Sequence, residues 1–134
     1  MSKEKFTKGG MVMSFAIKKI DHIQLAAPKG CEEAAREFFS GILGLIEIEK
    51  PTELKKRGGV WFEFGTFQLH IGVEEPFSPA KKAHPAFIVE NIEELKAHLR
   101  KKGVTFTEDD LLPGASRIFV HDPFGNRLEV LEWY

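Results

Sequence analysis

The sequence contains little cysteine, no long apolar run and no excess of charge of either sign. Cys31 is the only cysteine among 134 residues, so an intrachain disulfide is impossible and a reducing cytoplasm is the expected compartment. The apolar stretch at 11–17 is too short to span a membrane, and two lysines follow it. The formal net charge is −1 and no long basic run is present, so we expect neither nucleic acid nor a membrane as a partner.

The composition is that of an ordinary globular protein. Hydrophobic residues make up 43% of the chain and charged residues 29%, and the length suits one compact domain. Residues 1–14 are polar and contain glycine, so we expect a flexible leader before a single domain at 15–134. We expect Cys31 to be a packing residue rather than a nucleophile, as most lone cysteines are.

The first half of the domain, module 15–77, shows a clear order of predicted elements. An alternating strand at about 17–27 is followed by a helical pattern at 31–43 that begins with acidic residues. Three further strands follow, with the sequences "LIEIE", "GVWFEF" and "FQLHIGV". This order predicts a βαβββ unit.

The second half, module 83–134, repeats that order after a proline-containing linker. A strand, "HPAFIVE", precedes Asn91, which we expect to be the N-cap of the helix "IEELKAHLRKKG". Three strands then follow, "VTFTE", "SRIFVHD" and "NRLEVLEW", the last two joined by the turn "DPFGN". The sequence therefore predicts an α+β fold made of two tandem βαβββ modules.

Four side chains that can bind a metal occupy matched positions in the two modules. His22 lies in the first strand of the first module, and His84 opens the second module. His70 and Glu129 lie in the last strands of their modules, each between two aliphatic residues. Because side chains alternate along a strand, all four face away from the aliphatic side that packs on the helices. If the two sheets share one concave surface, the four side chains converge on it.

Three imidazoles and one carboxylate suit a divalent ion such as Zn, Ni, Mn, Fe or Co. Coordination positions left open could accept water or two oxygens of a small substrate, so that the ion acts as a Lewis acid. His70 or Glu129 could leave the ion to move a proton, which makes both candidate catalytic residues. The alternative is structural, with His70 and His84 as satisfied core histidines and Glu129 paired with a neighbouring arginine.

Three further residues are candidates for contacting a substrate. Gln24 shares the face of His22, where it could bind a substrate or a metal-bound water, or simply fill a wet cavity. Arg117 and Phe119 alternate with aliphatic residues and would point into the same hollow. A guanidinium there suits an anionic or carbonyl-bearing ligand, although a structural salt bridge explains Arg117 equally well.

Several segments together resemble the vicinal oxygen chelate superfamily, also called the glyoxalase, bleomycin-resistance and dioxygenase superfamily. The resemblance spans about residues 17–132, and its most specific piece is "DPFGNRLE". The segments are "IDHIQL", "GVWFEFGTFQLHIGVE", "HPAFIVENIEELKAHLRKKGV" and "RIFVHDPFGNRLEVLE". The resemblance implies a cup-shaped, partly open barrel built from two βαβββ modules.

The resemblance also implies roles for individual residues. His22 matches the metal ligand of the first strand, His84 the ligand that opens the second module, and Glu129 the ligand of the last strand. His70 stands where the glyoxalase I branch has a glutamate, which removes a negative charge and a potential general base. A metal-dependent lyase, isomerase or dioxygenase is the first expectation, and a metal-free protein that binds a drug or aromatic molecule is the second. The edges of two tandem sheets need covering, so we also expect a homodimer.

Overall fold

The computed structural model describes residues 6–8 and 11–134 of the chain. Within the predicted leader, strands β1 (Phe6–Lys8) and β2 (Met11–Met13) pair as an antiparallel hairpin. Residues 1–5 and 9–10 of the predicted leader lie outside the described part, so the flexible leader before a single domain stays a prediction. Residues 14–21 form neither helix nor strand, so the strand predicted from 17 begins later, at His22.

The first module has the predicted order of elements. Its sheet has the strand order β3-β6-β5-β4, in which β3 runs parallel to β6 and the other neighbours are antiparallel. Its elements are β3 (His22–Ala27), α1 (Glu32–Ala35) with a π-helical continuation (Arg36–Ile42), β4 (Ile46–Ile48), a 3₁₀ helix (Thr52–Arg57), β5 (Val60–Phe64) and β6 (Phe67–Val73). The sequence did not predict the 3₁₀ helix, whose residues are mostly charged and show no apolar period.

The second module repeats the first. Its strand order, β7-β10-β9-β8, matches that of the first sheet position by position, again with the first and last strands parallel. Its elements are β7 (Ala86–Ile88), α2 (Ile92–Lys101), β8 (Phe106–Asp109), β9 (Ala115–His121) and β10 (Arg127–Trp133). The predicted α+β fold of two βαβββ modules is confirmed. Among the described residues, no helix is long and apolar enough to cross a membrane.

Both modules contribute to one hydrophobic core. The core contains side chains from the helices and from one face of each sheet. The last strands contribute alternate residues: Leu69, Ile71, Leu128 and Val130. Because neighbouring side chains on a strand point to opposite faces, His70 and Glu129 lie on the sheet faces that point away from this core. Burial of the core therefore decides which face of each sheet is left for other side chains.

Polar and aromatic contacts also join the two modules. The Asn126 side chain donates to the Ala26 carbonyl at 2.8 Å, and a ring nitrogen of His98 donates to the Ile42 carbonyl at 2.8 Å. The rings of Phe64 and Phe87 meet edge to face, with centroids 5.5 Å apart. These contacts join the second module to β3, β5 and the helix of the first module.

The predicted turn before β10 is stabilised by Asp122. One oxygen of this buried carboxylate accepts from the backbone N–H groups of Phe124 and Asn126, and the other accepts from the Asn126 side chain. Gly125 has a φ of 94°, a conformation that favours glycine. The turn places the first residue of β10 in register with the last residue of β9.

The N-terminus of α2 differs from the prediction. Asn91 occupies the N-cap position but makes no side-chain capping bond, and its φ is 66°. Instead, the Glu132 carboxylate on β10 accepts from the backbone N–H groups of Asn91 and Ile92, at 2.8 and 2.9 Å. These hydrogen bonds hold the pKa of Glu132 below its ordinary value. A carboxylate is favoured there because the helix dipole places positive charge at this end.

We expect Glu132→Ala to lower the melting temperature by several degrees, because two N–H groups of α2 lose their acceptor. Glu94→Ala is the matched control, since it removes an exposed carboxylate from the same helix that makes no capping bond. Thermal denaturation followed by circular dichroism measures both changes. Equal melting temperatures for the two variants would show that the Glu132 bonds do not stabilise the helix.

Candidate functional site

The first group of candidate residues is a stack of three rings on the outer face of the first sheet. His70 on β6 is buried, with 4% of its surface exposed. The Trp61 ring, on the neighbouring strand β5, lies parallel to the His70 ring at a centroid distance of 3.7 Å. The His22 ring, on the other neighbouring strand β3, stacks on the His70 ring at a centroid distance of 4.2 Å. Trp61 is opposite His70 in the β5–β6 register, which explains the contact. We call His22, His70 and Trp61 the histidine stack.

Hydrogen bonds orient both imidazoles of the histidine stack. His22 donates from Nδ1 to the Asp21 carboxylate at 2.9 Å, which leaves Nε2 with the lone pair in the neutral ring. A carboxylate behind a histidine in this way is the usual arrangement around a metal ligand. His70 donates from Nε2 to the Gln68 side-chain oxygen at 2.9 Å.

His70 is neutral at physiological pH. Burial, followed by the nearby His22, lowers its pKa from 6.5 to about 4. Burial disfavours the charged imidazolium because the surrounding rings replace water and return little of its solvation. A neutral imidazole is the form that can bind a metal or accept a proton.

The second group of candidate residues lies on the outer face of the second sheet. His84 donates from Nδ1 to the Lys82 carbonyl at 2.8 Å, and its Nε2 lies 2.8 Å from Oε1 of Glu129. Nε2 of a neutral His84 and the carboxylate would both be acceptors, so one proton must lie between these two atoms. A divalent cation could replace that proton, since the same two lone pairs would then face the ion. We call His84 and Glu129 the His–Glu pair.

Arg117 supports the His–Glu pair. Its Nη2 donates to the Asp109 carboxylate at 3.0 Å, and its Nη1 lies 3.6 Å from Oε2 of Glu129. The contact with Asp109 is the main reason that the pKa of Arg117 is raised. Its buried Nε has no hydrogen-bond partner among the described residues. The salt-bridge alternative considered for Arg117 is thus present, and its predicted contact with a substrate stays a prediction.

Phe119 and Gln24 lie beside the two groups. Phe119 is opposite Glu129 in the β9–β10 register, and its ring centroid lies 5.6 Å from that of His84. Gln24 is exposed on β3, and its side chain lies across Gly72. A Cβ added to Gly72 would come within 2.4 Å of the Gln24 Nε2. A cavity of about 670 Å³ between β3 and the segment before β7 contacts Gln24 and His84 but none of the other predicted ligands.

The four predicted metal ligands therefore form two pairs in one chain. His22 contacts His70, and His84 contacts Glu129. In the part of the chain that the structure describes, no three His, Cys, Asp or Glu side chains lie close enough to hold one ion. The donor types fit a divalent metal, but each outer sheet face carries only half of the predicted set.

Comparison with known proteins identifies the family. A sequence model of the Glyoxalase/Bleomycin resistance protein/Dioxygenase superfamily matches residues 19–130. The chain belongs to this superfamily. Its description covers both enzymes and resistance proteins, so membership alone leaves the reaction open. No protein in the curated comparison matches the chain.

Solved structures of the superfamily share the fold. A glyoxalase family protein from Bacillus anthracis is 52% identical, with a TM-score of 0.89, and the match covers 91% of this chain and 100% of that chain. One from Enterococcus faecalis is 28% identical, with a TM-score of 0.67 and coverages of 86% and 98%. A lactoylglutathione lyase from Agrobacterium tumefaciens is 20% identical, with a TM-score of 0.69 and coverages of 87% and 94%, and this similarity shows the fold alone.

Asp21 and Trp61 contact the predicted ligands but were not among the predicted site residues. Asp21 directly precedes His22, and its role could have been suspected from that neighbourhood alone. Trp61 contacts His70 through strand pairing. The only feature of the sequence that indicates this contact is the place of Trp61 among the outward-facing residues of "VWFEF". Burial raises the pKa of the Cys31 thiol, which agrees with the predicted packing role.

We expect the metal-free protein to lose stability as the pH falls from 6.5 towards 4. In this range the unfolded chain protonates His70, whereas the folded chain does not, so the stability that is complete above pH 6.5 is progressively lost. The loss attributable to this residue is about 2 kcal/mol. Urea denaturation at several pH values measures it as the difference between the wild type and His70→Gln.

The control for this prediction is His121→Gln, which replaces an exposed imidazole and should keep the pH dependence of the wild type. If His70→Gln keeps that dependence as well, His70 is not the residue responsible.

Proposed function

We propose that this chain is a divalent-metal-dependent enzyme of lyase, isomerase or dioxygenase type that acts on a small substrate with adjacent oxygens. We further propose that two copies of the chain build each metal site. The observation that supports both proposals is the division of the ligands into the histidine stack and the His–Glu pair, each on the outer face of its own sheet. A second copy can present one face to the other.

The donor set fits the proposed ion. His22 has its Nδ1 hydrogen held by Asp21, and His84 has its Nδ1 hydrogen held by the Lys82 carbonyl, so each can offer Nε2. Glu129 supplies the only carboxylate of the set. His70 would be a fourth ligand, or would stand beside the ion as a neutral base. Zn, Ni, Mn, Fe and Co all accept three imidazoles and a carboxylate.

The residues themselves would hold and move protons at the substrate. When bound, the ion would supply Lewis-acid stabilisation of negative charge on the chelated oxygens. His70 is neutral at pH 7 and can accept a proton at the nitrogen that it does not use for a hydrogen bond. Glu129 already shares a proton with His84, and Arg117 holds the second Glu129 oxygen in place. Gln24 is exposed beside His70 and can donate to a substrate oxygen.

A second copy also explains the exposed segment before β3. Residues 13–22 are all exposed, including Phe15, Ile17 and Ile20, which have 61%, 91% and 63% of their surface exposed. Apolar side chains grouped in this way mark a surface that contacts another protein. Because this segment leads directly into His22, contact with a second copy would bring that copy close to the histidine stack.

We expect about one metal ion per chain in protein purified without an affinity tag, and a homodimer by light scattering. His22→Ala and Glu129→Ala should each reduce metal content strongly, because each removes one of the side chains that would hold the ion. Elemental analysis after dialysis measures the content, and His121→Ala is the control. Stoichiometric metal in both ligand variants, or a monomer at all concentrations, would contradict the proposal.

One observation favours a second function, a metal-free protein that binds a small organic molecule. Oε1 of Glu129 and Nε2 of His84 satisfy each other without an ion, at 2.8 Å. If none of the five metals binds to the pure dimer, and an aromatic ligand instead protects the Trp61 fluorescence of a Trp133→Phe variant from quenching, this function replaces the first. A metal-loaded crystal decides the role of His70, because a nitrogen within about 2.0–2.2 Å of the ion makes it a ligand.

A further inference from the structure

Arg127 lies on the same outer face of the second sheet as the His–Glu pair. It precedes Glu129 by two positions on β10, so both side chains project to one side, with backbone positions about 6–7 Å apart. The Arg127 guanidinium lies over the Phe119 ring, 4.0 Å from its centroid. Phe119 is in turn opposite Glu129 in the strand register. A cation stacked on an aromatic ring therefore stands beside the proposed metal ligand.

The two arginines on this face differ in their partners. Both lie over the Phe119 ring, Arg117 at 5.1 Å from its centroid, but Arg117 is also paired with Asp109 and Glu129. Arg127 has no carboxylate within salt-bridge distance in the described part of the chain, and the nearby Asp109 carboxylate is paired with Arg117. Arg127 is nevertheless only half exposed. A guanidinium that gives up part of its hydration without gaining a carboxylate is available for an anion from outside the chain.

We propose that Arg127 and Phe119 form an anion subsite that binds a carboxylate group of the substrate. Planar guanidinium and carboxylate groups match in a bidentate contact, and the Phe119 ring holds the guanidinium plane in place. Given the proposed function, the substrate has adjacent oxygens at one end and a carboxylate a few bonds further along. The subsite determines specificity, and the chemistry at the chelated oxygens does not require it.

Two hydroxamates of equal length test this subsite on the zinc-loaded protein. Succinic monohydroxamate carries a carboxylate beyond its chelating oxygens, and butyrohydroxamate carries a methyl group there. We expect calorimetry to show about tenfold tighter binding of the first probe to the wild type, as one charge-assisted contact provides. Arg127→Gln should remove the difference without changing zinc content, and Arg127→Lys should keep part of it.

Arg100→Gln is the matched control, because Arg100 also lies over a phenylalanine ring, that of Phe106, but on α2 and away from this face. This variant should keep the tenfold preference. Equal binding of the two probes to the wild type, or a preference that survives Arg127→Gln, would overturn the proposal.

A second measurement separates this proposal from the proposed function. If no metal can be loaded, the proposed metal-dependent function is wrong. The metal-free protein is then titrated with benzoate and, separately, with benzamide, and NMR follows the arginine Nε signals. A shift of the Arg127 signal with benzoate alone supports the anion subsite. No shift with either compound overturns it.

Discussion

Burial of one face of each sheet is the constraint on which the site depends. The two modules share a single core, and the strands alternate their side chains, so Leu69 and Ile71 on one sheet and Leu128 and Val130 on the other point into it. The intervening residues then have only the outer faces available. The same pattern that stabilises the fold thus divides the predicted ligands between two faces, and our proposal that a second copy completes the site follows from this division.

Electrostatics makes the two halves different. In the histidine stack, burial and then the nearby His22 lower the pKa of His70 to about 4, so the imidazole at the centre of this half is uncharged at pH 7. In the second half, Glu129 lies between His84 and Arg117, and a proton stands between the carboxylate and the imidazole. The first half therefore offers neutral donors and the second offers the negative charge that a divalent cation needs.

Local sequence patterns predicted what depends on local geometry. Alternation and turn residues located the eight strands of the two modules, and the matched places of His22, His70, His84 and Glu129 followed from the repeat. Contacts between distant segments were beyond these patterns. Glu132 caps α2 in place of Asn91 because β10 passes the start of that helix, and Trp61 reaches His70 through strand register. The division of the ligands into two pairs depends on how the modules pack, which no local pattern encodes.

The most direct test of the account mixes two inactive halves. His22→Ala damages only the histidine stack, and Glu129→Ala damages only the His–Glu pair, and each removes a side chain that the proposal makes a metal ligand. The two variants are mixed in mild denaturant and refolded together, so that their subunits exchange. If two copies build each site, every mixed dimer has one intact site of its two. Random pairing makes half of the dimers mixed, so the mixture should hold about a quarter of the wild-type metal content. If the mixture binds no more metal than the separate variants, each site belongs to one chain and the account is contradicted.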